Sequence, residues 1–175
     1  MSGQSVGGQS VSTTDATSVE ISPATTPADI EEIRALFLEY GQSLDFNLCF
    51  QGFDEELAGL PGAYAPPRGR LLLARADDVV IGGVGLRPLK ADICEMKRLY
   101  VRPGHRALKA GRRLAEALIA QARAIGYRAM RLDTLPDMTA AQALYATLGF
   151  RDIAPYYENP IPGARYCELD LTSLG

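Results

Sequence analysis

The chain has 175 residues, the length of one compact domain, and its 47% hydrophobic and 22% charged residues are an ordinary balance for a globular protein with a single core. A formal net charge of -3 at pH 7 speaks against a molecule that holds nucleic acid through its overall field. Three cysteines without a CxxC pair and a single histidine argue against a disulfide framework or a histidine-rich metal centre, so a reducing compartment and no metal are expected.

Residues 1–18 are rich in Ser, Gly, Thr and Gln. They hold too little apolar surface to offset the entropy of ordering, so a disordered tail is expected, followed by one domain over 19–175. The tail lacks the basic and apolar regions of a secretory signal, and no later stretch reaches the ~20 apolar residues of a membrane span. The expectation is a cytoplasmic protein without a membrane partner.

Val19 to Ser22 alternates as a short strand. Thr26 is a good N-cap, Pro27 suits the first helical position and Asp29 its first turn. Ile30, Ile33, Leu36, Phe37 and Tyr40 then give an apolar helical face, ended by Gly41. A loop with Phe46, Leu48, Cys49 and Phe50 follows. Asp54 is read as the cap of a short helix through Leu60, and Pro66-Pro67 as an extended stretch.

Leu71–Ala74 and Val79–Leu86, joined at Asp77-Asp78, read as a hairpin. Ile93–Val101 is a third strand, closed by Pro103-Gly104. A long helix runs from about Lys109 to Ile125 and is capped by Gly126, with Leu114, Leu118 and Ala122 on one face. Ala129–Thr134 is a strand, Thr139–Leu148 a helix capped by Gly149, and strands near Phe150 and over Tyr166–Leu171 finish the chain. The order predicts an α/β domain of the α+β type, an antiparallel run meeting a βαβ-like half.

The most informative region is the strand Cys94-Glu95-Met96-Lys97-Arg98-Leu99-Tyr100-Val101, its loop and the helix that follows. Small residues Ala107, Ala110 and Gly111 at a helix start leave unpaired N–H groups open to an anion, and Arg106, Lys109, Arg112 and Arg113 add positive charge. A pyrophosphate is the natural ligand. The alternative is a solvated basic helix start with no ligand.

These residues resemble the GNAT acetyltransferases. EMKRLYVRP matches the family's strand, Arg106-x-x-Lys109-x-Gly111 its R/Q-x-x-G-x-G/A loop, and Ala141-Gln-Ala-Leu-Tyr-Ala-Thr-Leu-Gly-Phe150 its second motif. The likeness spans roughly residues 19–172. It implies a mixed, mostly antiparallel sheet of about six to seven strands flanked by about four helices. Two splayed strands, Met96–Val101 and Ala129–Thr134, would open into a cleft for acetyl-CoA.

It further implies that Leu99, Tyr100 and Val101 line the pantetheine arm, that Arg106, Ala107, Leu108, Lys109, Ala110, Gly111 and Arg112 hold the pyrophosphate, and that an N–H near Leu99 polarises the thioester carbonyl. Glu95 becomes the candidate base and Tyr145 the candidate acid for the departing thiolate. The plain alternatives are a structural carboxylate and a core aromatic.

Two positions depart from the pattern. Lys109 stands at the motif's first glycine, where its side chain either obstructs the cofactor, points outward or joins the phosphates. Met138 stands near a frequent asparagine. Both keep open a non-catalytic acyl-CoA-binding or sensing domain. The basic run Arg102 to Arg113 alone suggests nucleic acid, and the acidic balance of the chain opposes it. His105 reads as a rim residue and Cys94 as a buried thiol rather than a nucleophile.

The acceptor of the acetyl group is expected to be an amine of a small molecule, amino acid or peptide. Its pocket would be lined by Phe46, Phe50, Phe53, Tyr156 and Tyr157, with Asp54, Glu55, Glu56 and Glu158 supplying negative charge. The Tyr156-Tyr157 segment is equally a packing loop. Many members of the family are homodimers, and no feature of the sequence demands one here.

Overall fold

The computed structural model describes residues 17–45, 47–48 and 52–173. The expected tail (residues 1–16 of it) and the candidate pocket residues Phe46, Cys49 and Phe50 lie outside them.

Among the described residues the elements are β1 (Val19–Pro23), α1 (Pro27–Gln42), α2 (Phe53–Ala58), β2 (Arg70–Ala76), β3 (Val79–Lys90), β4 (Ile93–Val101), α3 (Ala110–Ile125), β5 (Ala129–Thr134), α4 (Thr139–Leu148), β6 (Arg151–Ile153) and β7 (Arg165–Asp170). The seven strands form one sheet in the order β1-β2-β3-β4-β5-β7-β6. The β4–β5 pairing is parallel and the others are antiparallel. The predicted fold class is therefore the observed one.

Alternation in β2 explains why both faces of the sheet are covered. Leu72 and Ala74 join the core beneath α3, with Leu114, Leu118, Met96 and Leu132. Leu71 and Leu73 join the core beneath α1, with Ile33, Leu36, Phe37 and Tyr100. Successive side chains of a strand point to opposite faces, so an apolar run is buried twice.

Several local expectations are corrected. Gly52, in the left-handed region at φ 68°, precedes α2, so Asp54 lies in the first turn and does not cap; the helix ends at Ala58. Pro66 and Pro67 sit in a turn rather than an extended stretch. α1 continues one residue past Gly41, to Gln42. β3 runs on to Lys90, because its pairing with β4 continues as far as Ile93. The segment Pro103–Leu108 is a 3-10 helix, and Lys109 is the N-cap of α3 rather than its first residue.

Thr26 caps α1 as predicted, in a capping box with Asp29. The Asp29 carboxylate accepts from the N–H groups of Thr26 (3.2 Å) and Thr25 (3.1 Å) and pairs with Arg75. The Thr26 N–H is the largest influence, and together these groups outweigh burial and hold the carboxyl at about 2. Gly85 of β3 is needed for close approach: a Cβ there would lie 2.5 Å from the Tyr64 ring.

Two outcomes are expected. Gly85→Ala lowers stability by about 1–3 kcal/mol through overpacking, measured by urea titration. A carboxyl with a depressed folded pKa stabilises above its unfolded value and ceases to as the pH falls through the folded one. The difference in melting temperature between wild type and Asp29→Asn is thus full above ~pH 4 and disappears towards ~pH 2.

Candidate active site

The site is built where β4 and β5 part. Their parallel pairing covers three register pairs, Ile93–Ala129, Cys94–Met130 and Glu95–Arg131. Beyond Glu95 the two strands have no further register partners on each other. β4 stays paired with β3 and β5 with β7, so a wedge opens between them.

A bulge shapes the β4 side of the wedge. Gly83 pairs with Tyr100 and Gly85 with Lys97, so Val84 faces both Arg98 and Leu99. Arg98 takes the left-handed conformation at φ 62°, which costs a non-glycine residue about 1–2 kcal/mol. The strand keeps it there with compensation: the guanidinium donates to Glu56 of α2 at 3.1 and 3.4 Å and lies over the Phe53 ring at 5.1 Å. An inserted residue reverses which face each later side chain takes. Leu99 and Val101 accordingly pack towards α3, and Tyr100 towards α1.

A cleft of two adjoining parts lies at the wedge. Its outer part is lined by Leu99, Tyr100, Val101, Arg106, Lys109, Gly111, Arg112, Met138 and Leu144. Its inner part is lined by Lys97, Leu99, Asp133, Met138, Tyr145 and Asn159. Tyr40, Leu99, Met138 and Ala141 belong to both.

The outer end has the features of an anion site. Lys109 begins α3 in the left-handed region at φ 57°, with no side-chain cap. The first-turn N–H groups therefore have no capping acceptor, and the helix dipole favours negative charge there. Arg106 and Lys109 are exposed beside them. Arg112 spans to α4 by donating to Thr147 and pairs with Glu116 at 3.1 Å. Arg113 faces away and donates to the Val19 carbonyl. Of the remaining predicted loop residues, Ala110 is buried in the core beneath α3, while Ala107 and Leu108 do not line the cleft.

The inner end carries charge. Lys97 and Asp133, 5% and 11% exposed, meet at 3.4 Å. Asp133 also accepts from the Tyr157 hydroxyl and from Asn159 (3.3 Å). Burial pushes its carboxyl upward, but Lys97 and Tyr157 outweigh burial and hold it below the usual range. Burial draws Lys97 down, against Asp133 and Glu95. Removing one partner of such a pair leaves a buried uncompensated charge, at a cost of about 3–5 kcal/mol.

Glu95 stands one step behind the cleft. Its carboxylate is 2% exposed and accepts from Arg87 at 2.9 Å and from the Tyr156 hydroxyl at 2.6 Å. Tyr145 does line the inner cleft, packed edge-on to Phe150 at 5.7 Å, with its phenol pushed up by burial. Burial pushes the Cys94 thiol up to about 12, which makes it a structural thiol.

Of the expected acidic acceptor lining, none of the described members lines this cleft, while Glu55 and Glu56 line a separate hollow beside α2. Asp54, Glu55 and Glu158 are exposed. Glu56 is bound to Arg98 and Arg87. Tyr156 and Tyr157 reach the site by donating to Glu95 and Asp133, and both meet Tyr166 edge-on, at 5.4 and 5.5 Å.

Sequence reasoning missed Lys97, Asp133, Tyr40 and Asn159. A charged residue in the middle of each of two buried strands was a visible signal for the first two. No local signal marks Tyr40 or Asn159, which reach the cleft from distant elements. Among the described residues no cluster of three or more His, Cys, Asp and Glu side chains is placed to hold a metal, and no helix is long and apolar enough to cross a membrane.

Comparison with known proteins agrees with this geometry. The sequence profile of the Acetyltransferase (GNAT) family matches residues 30–150. The chain belongs to that family. An uncharacterized N-acetyltransferase of Schizosaccharomyces pombe is 40% identical over 156 residues, covering 88% of this chain and 96% of the relative. Among solved structures, a GNAT-family acetyltransferase of Staphylococcus aureus superposes with a TM-score of 0.73 at 21% identity, over 89% of this chain and all of its own. A Salmonella typhimurium protein described as a putative acetyltransferase with its cofactor acetyl-CoA gives 0.70 at 20% identity, over 91% of this chain and 97% of its own. The enzyme class is that of the family and its N-acetyltransferase relative, acetyl-CoA-dependent N-acetyl transfer.

The cleft fits that co-substrate: an uncapped helix start and cations at one end, an apolar middle at Leu99, Met138 and Ala141, and polar groups at the inner end. Lys109 holds a left-handed conformation that glycine adopts without steric cost. Lys109→Gly is expected to relieve the left-handed penalty and stabilise the fold by up to about 1 kcal/mol, measured by urea titration.

Proposed function

We propose that this protein transfers the acetyl group of acetyl-CoA to a primary amine of a small molecule, amino acid or peptide, by direct attack while both substrates are bound. The observation that supports it best is the cleft between the parted strands, which joins an uncapped helix start flanked by cations to a buried polar end. The reading treats residues 19–175 as one catalytic domain, working in the cytoplasm, with a homodimer compatible with it.

Acetyl-CoA supplies the acyl group as a thioester. The residues of the chain divide the remaining work. First-turn N–H groups of α3, with Arg106, Lys109 and Arg112, hold the pyrophosphate. Leu99, Tyr100 and Val101 line the pantetheine arm. A main-chain N–H at the β4 bulge, near Leu99, stabilises the charge that develops on the acyl oxygen. Tyr145 protonates the departing sulfur, and a carboxylate on the acceptor side receives the proton of the amine. Glu95 is the sequence-derived candidate for that carboxylate, reached through Tyr156.

The test is turnover, followed as release of free thiol. Amino acids, spermidine, benzylamine and an alanine-initiated peptide serve as acceptors, with acetyl-CoA affinity measured by calorimetry. Binding of acetyl-CoA together with acetylation of at least one amine is expected. Failure to bind acetyl-CoA, or binding with no amine acetylated, defeats the proposal. Tyr145→Phe is expected to lower kcat by about 10- to 1000-fold with acetyl-CoA affinity little changed. Equal losses in affinity and rate would instead make Tyr145 a packing residue. Lys109→Gly should leave acetyl-CoA binding in place, because the main chain supplies the donors.

A further inference from the structure

The inner end of the cleft holds a carboxylate that the reading above does not use. Main-chain pairing of β4 with β5 ends at Glu95–Arg131. Two residues further on, Lys97 and Asp133 join the parting strands through their side chains, Nζ to Oδ1 at 3.4 Å. The other carboxylate oxygen of Asp133 accepts from the Tyr157 hydroxyl and from Asn159. Among the described residues lining the inner cleft, Asp133 is the one carboxylate, and it shares that lining with Leu99 and Tyr145. Glu95 is not in the lining, and both of its oxygens are engaged by Arg87 and Tyr156.

A buried ion pair is seldom more stabilising than apolar side chains of the same volume. Its place at the fork, facing the site of acyl transfer, therefore suggests a role in the chemistry. We propose that Asp133 is the carboxylate that takes the proton of the acceptor amine, with Lys97 and Tyr157 as the residues that position it. This rests on the acetyl-transfer reading and assigns the base in it.

An acceptor arriving as ammonium first loses one proton to water. The neutral nitrogen bonds to the acyl carbon, and the carbon–sulfur bond breaks with its electron pair on sulfur. The new bond acidifies the nitrogen, which gives its second proton to Asp133 while the sulfur takes one from Tyr145. Asp133 then passes its proton through the Tyr157 hydroxyl to water, and Tyr145 regains one from water.

Charged groups facing Asp133 from β4 are Lys97, Arg98 and Glu95. The phenols around it are Tyr40 of α1, Tyr145 of α4, Tyr156 and Tyr157 of the β6–β7 connection and Tyr166 of β7. Lys97 is the cation in direct contact, and it keeps Asp133 ionised. Loss of that cation must raise the pH below which the base is protonated and idle.

The experiment measures turnover of the best acceptor from the amine panel across pH, together with acetyl-CoA affinity and melting temperature. Asp133→Asn is expected to lower kcat by about 10²–10⁴-fold, with acetyl-CoA affinity within about threefold of wild type. Asp133→Glu should recover part of the rate, and Lys97→Met should move the acid limb of kcat/KM to higher pH.

A folding defect is separated from a catalytic one by the paired variant Lys97→Met with Asp133→Asn, which leaves no unpaired charge. It should melt close to wild type and remain inactive. Recovery of activity in the paired variant, or a rate for Asp133→Asn within about threefold of wild type, overturns the assignment to Asp133 alone. A loss found in Glu95→Gln but not in Asp133→Asn gives the role to Glu95. A wild-type protein that acetylates no amine overturns the acetyl-transfer reading and this assignment with it.

Discussion

Everything functional in this structure depends on two parallel strands that pair for three residues and then separate. A buried backbone N–H or carbonyl without a partner costs as much as a lost hydrogen bond, so strands do not part inside a protein without replacement partners. Here the wedge starts after Glu95 and Arg131, and side chains from α1 and α4 line it without closing it. An extended, amide-bearing substrate arm laid in the wedge can meet those groups.

The two ends of the wedge work by different physics. At the outer end, the left-handed Lys109 starts α3 without a side-chain cap, and the donors belong to the main chain. Such donors depend on backbone shape more than on residue identity, and Lys109 holds the left-handed shape that glycine adopts without steric cost. At the inner end the groups are side chains held in a low-dielectric setting. Arg87, Lys97 and Arg98 face Glu56, Glu95 and Asp133, in pairs from 2.9 to 3.6 Å. Each acid is answered by a base, so the region is polar yet balanced. A charge count from sequence sees the acids and cannot see their partners.

The bulge at Arg98 connects the two ends. It turns Arg98 towards its partner on α2, just after Lys97 has met its partner on β5, and sends Leu99 and Val101 to the other face of the sheet. One inserted residue thus sets the β4 wall of the outer cleft directly beside the cation of the inner one. Its local strain is met by the Glu56 carboxylate and the Phe53 ring. The bulge is therefore part of the site rather than an irregularity beside it.

The sequence by itself determined the elements and their class. Period-two and helical apolar patterns, Thr26 as a cap, and Gly126 and Gly149 as helix ends are local signals, and local signals are legible in one chain. It also placed the strand, loop and helix start that line the outer cleft, because they are contiguous from Cys94 to Leu114. Turn chemistry was harder to read: Asp54 and Pro66-Pro67 have ambiguous local preferences. The tertiary structure alone decided which charges meet. Lys97 and Asp133 are 36 residues apart, and Tyr157 and Asn159 reach Asp133 from another connection again. Their ion pair exists only because β4 and β5 lie side by side up to the fork, a long-range geometry that no local pattern encodes.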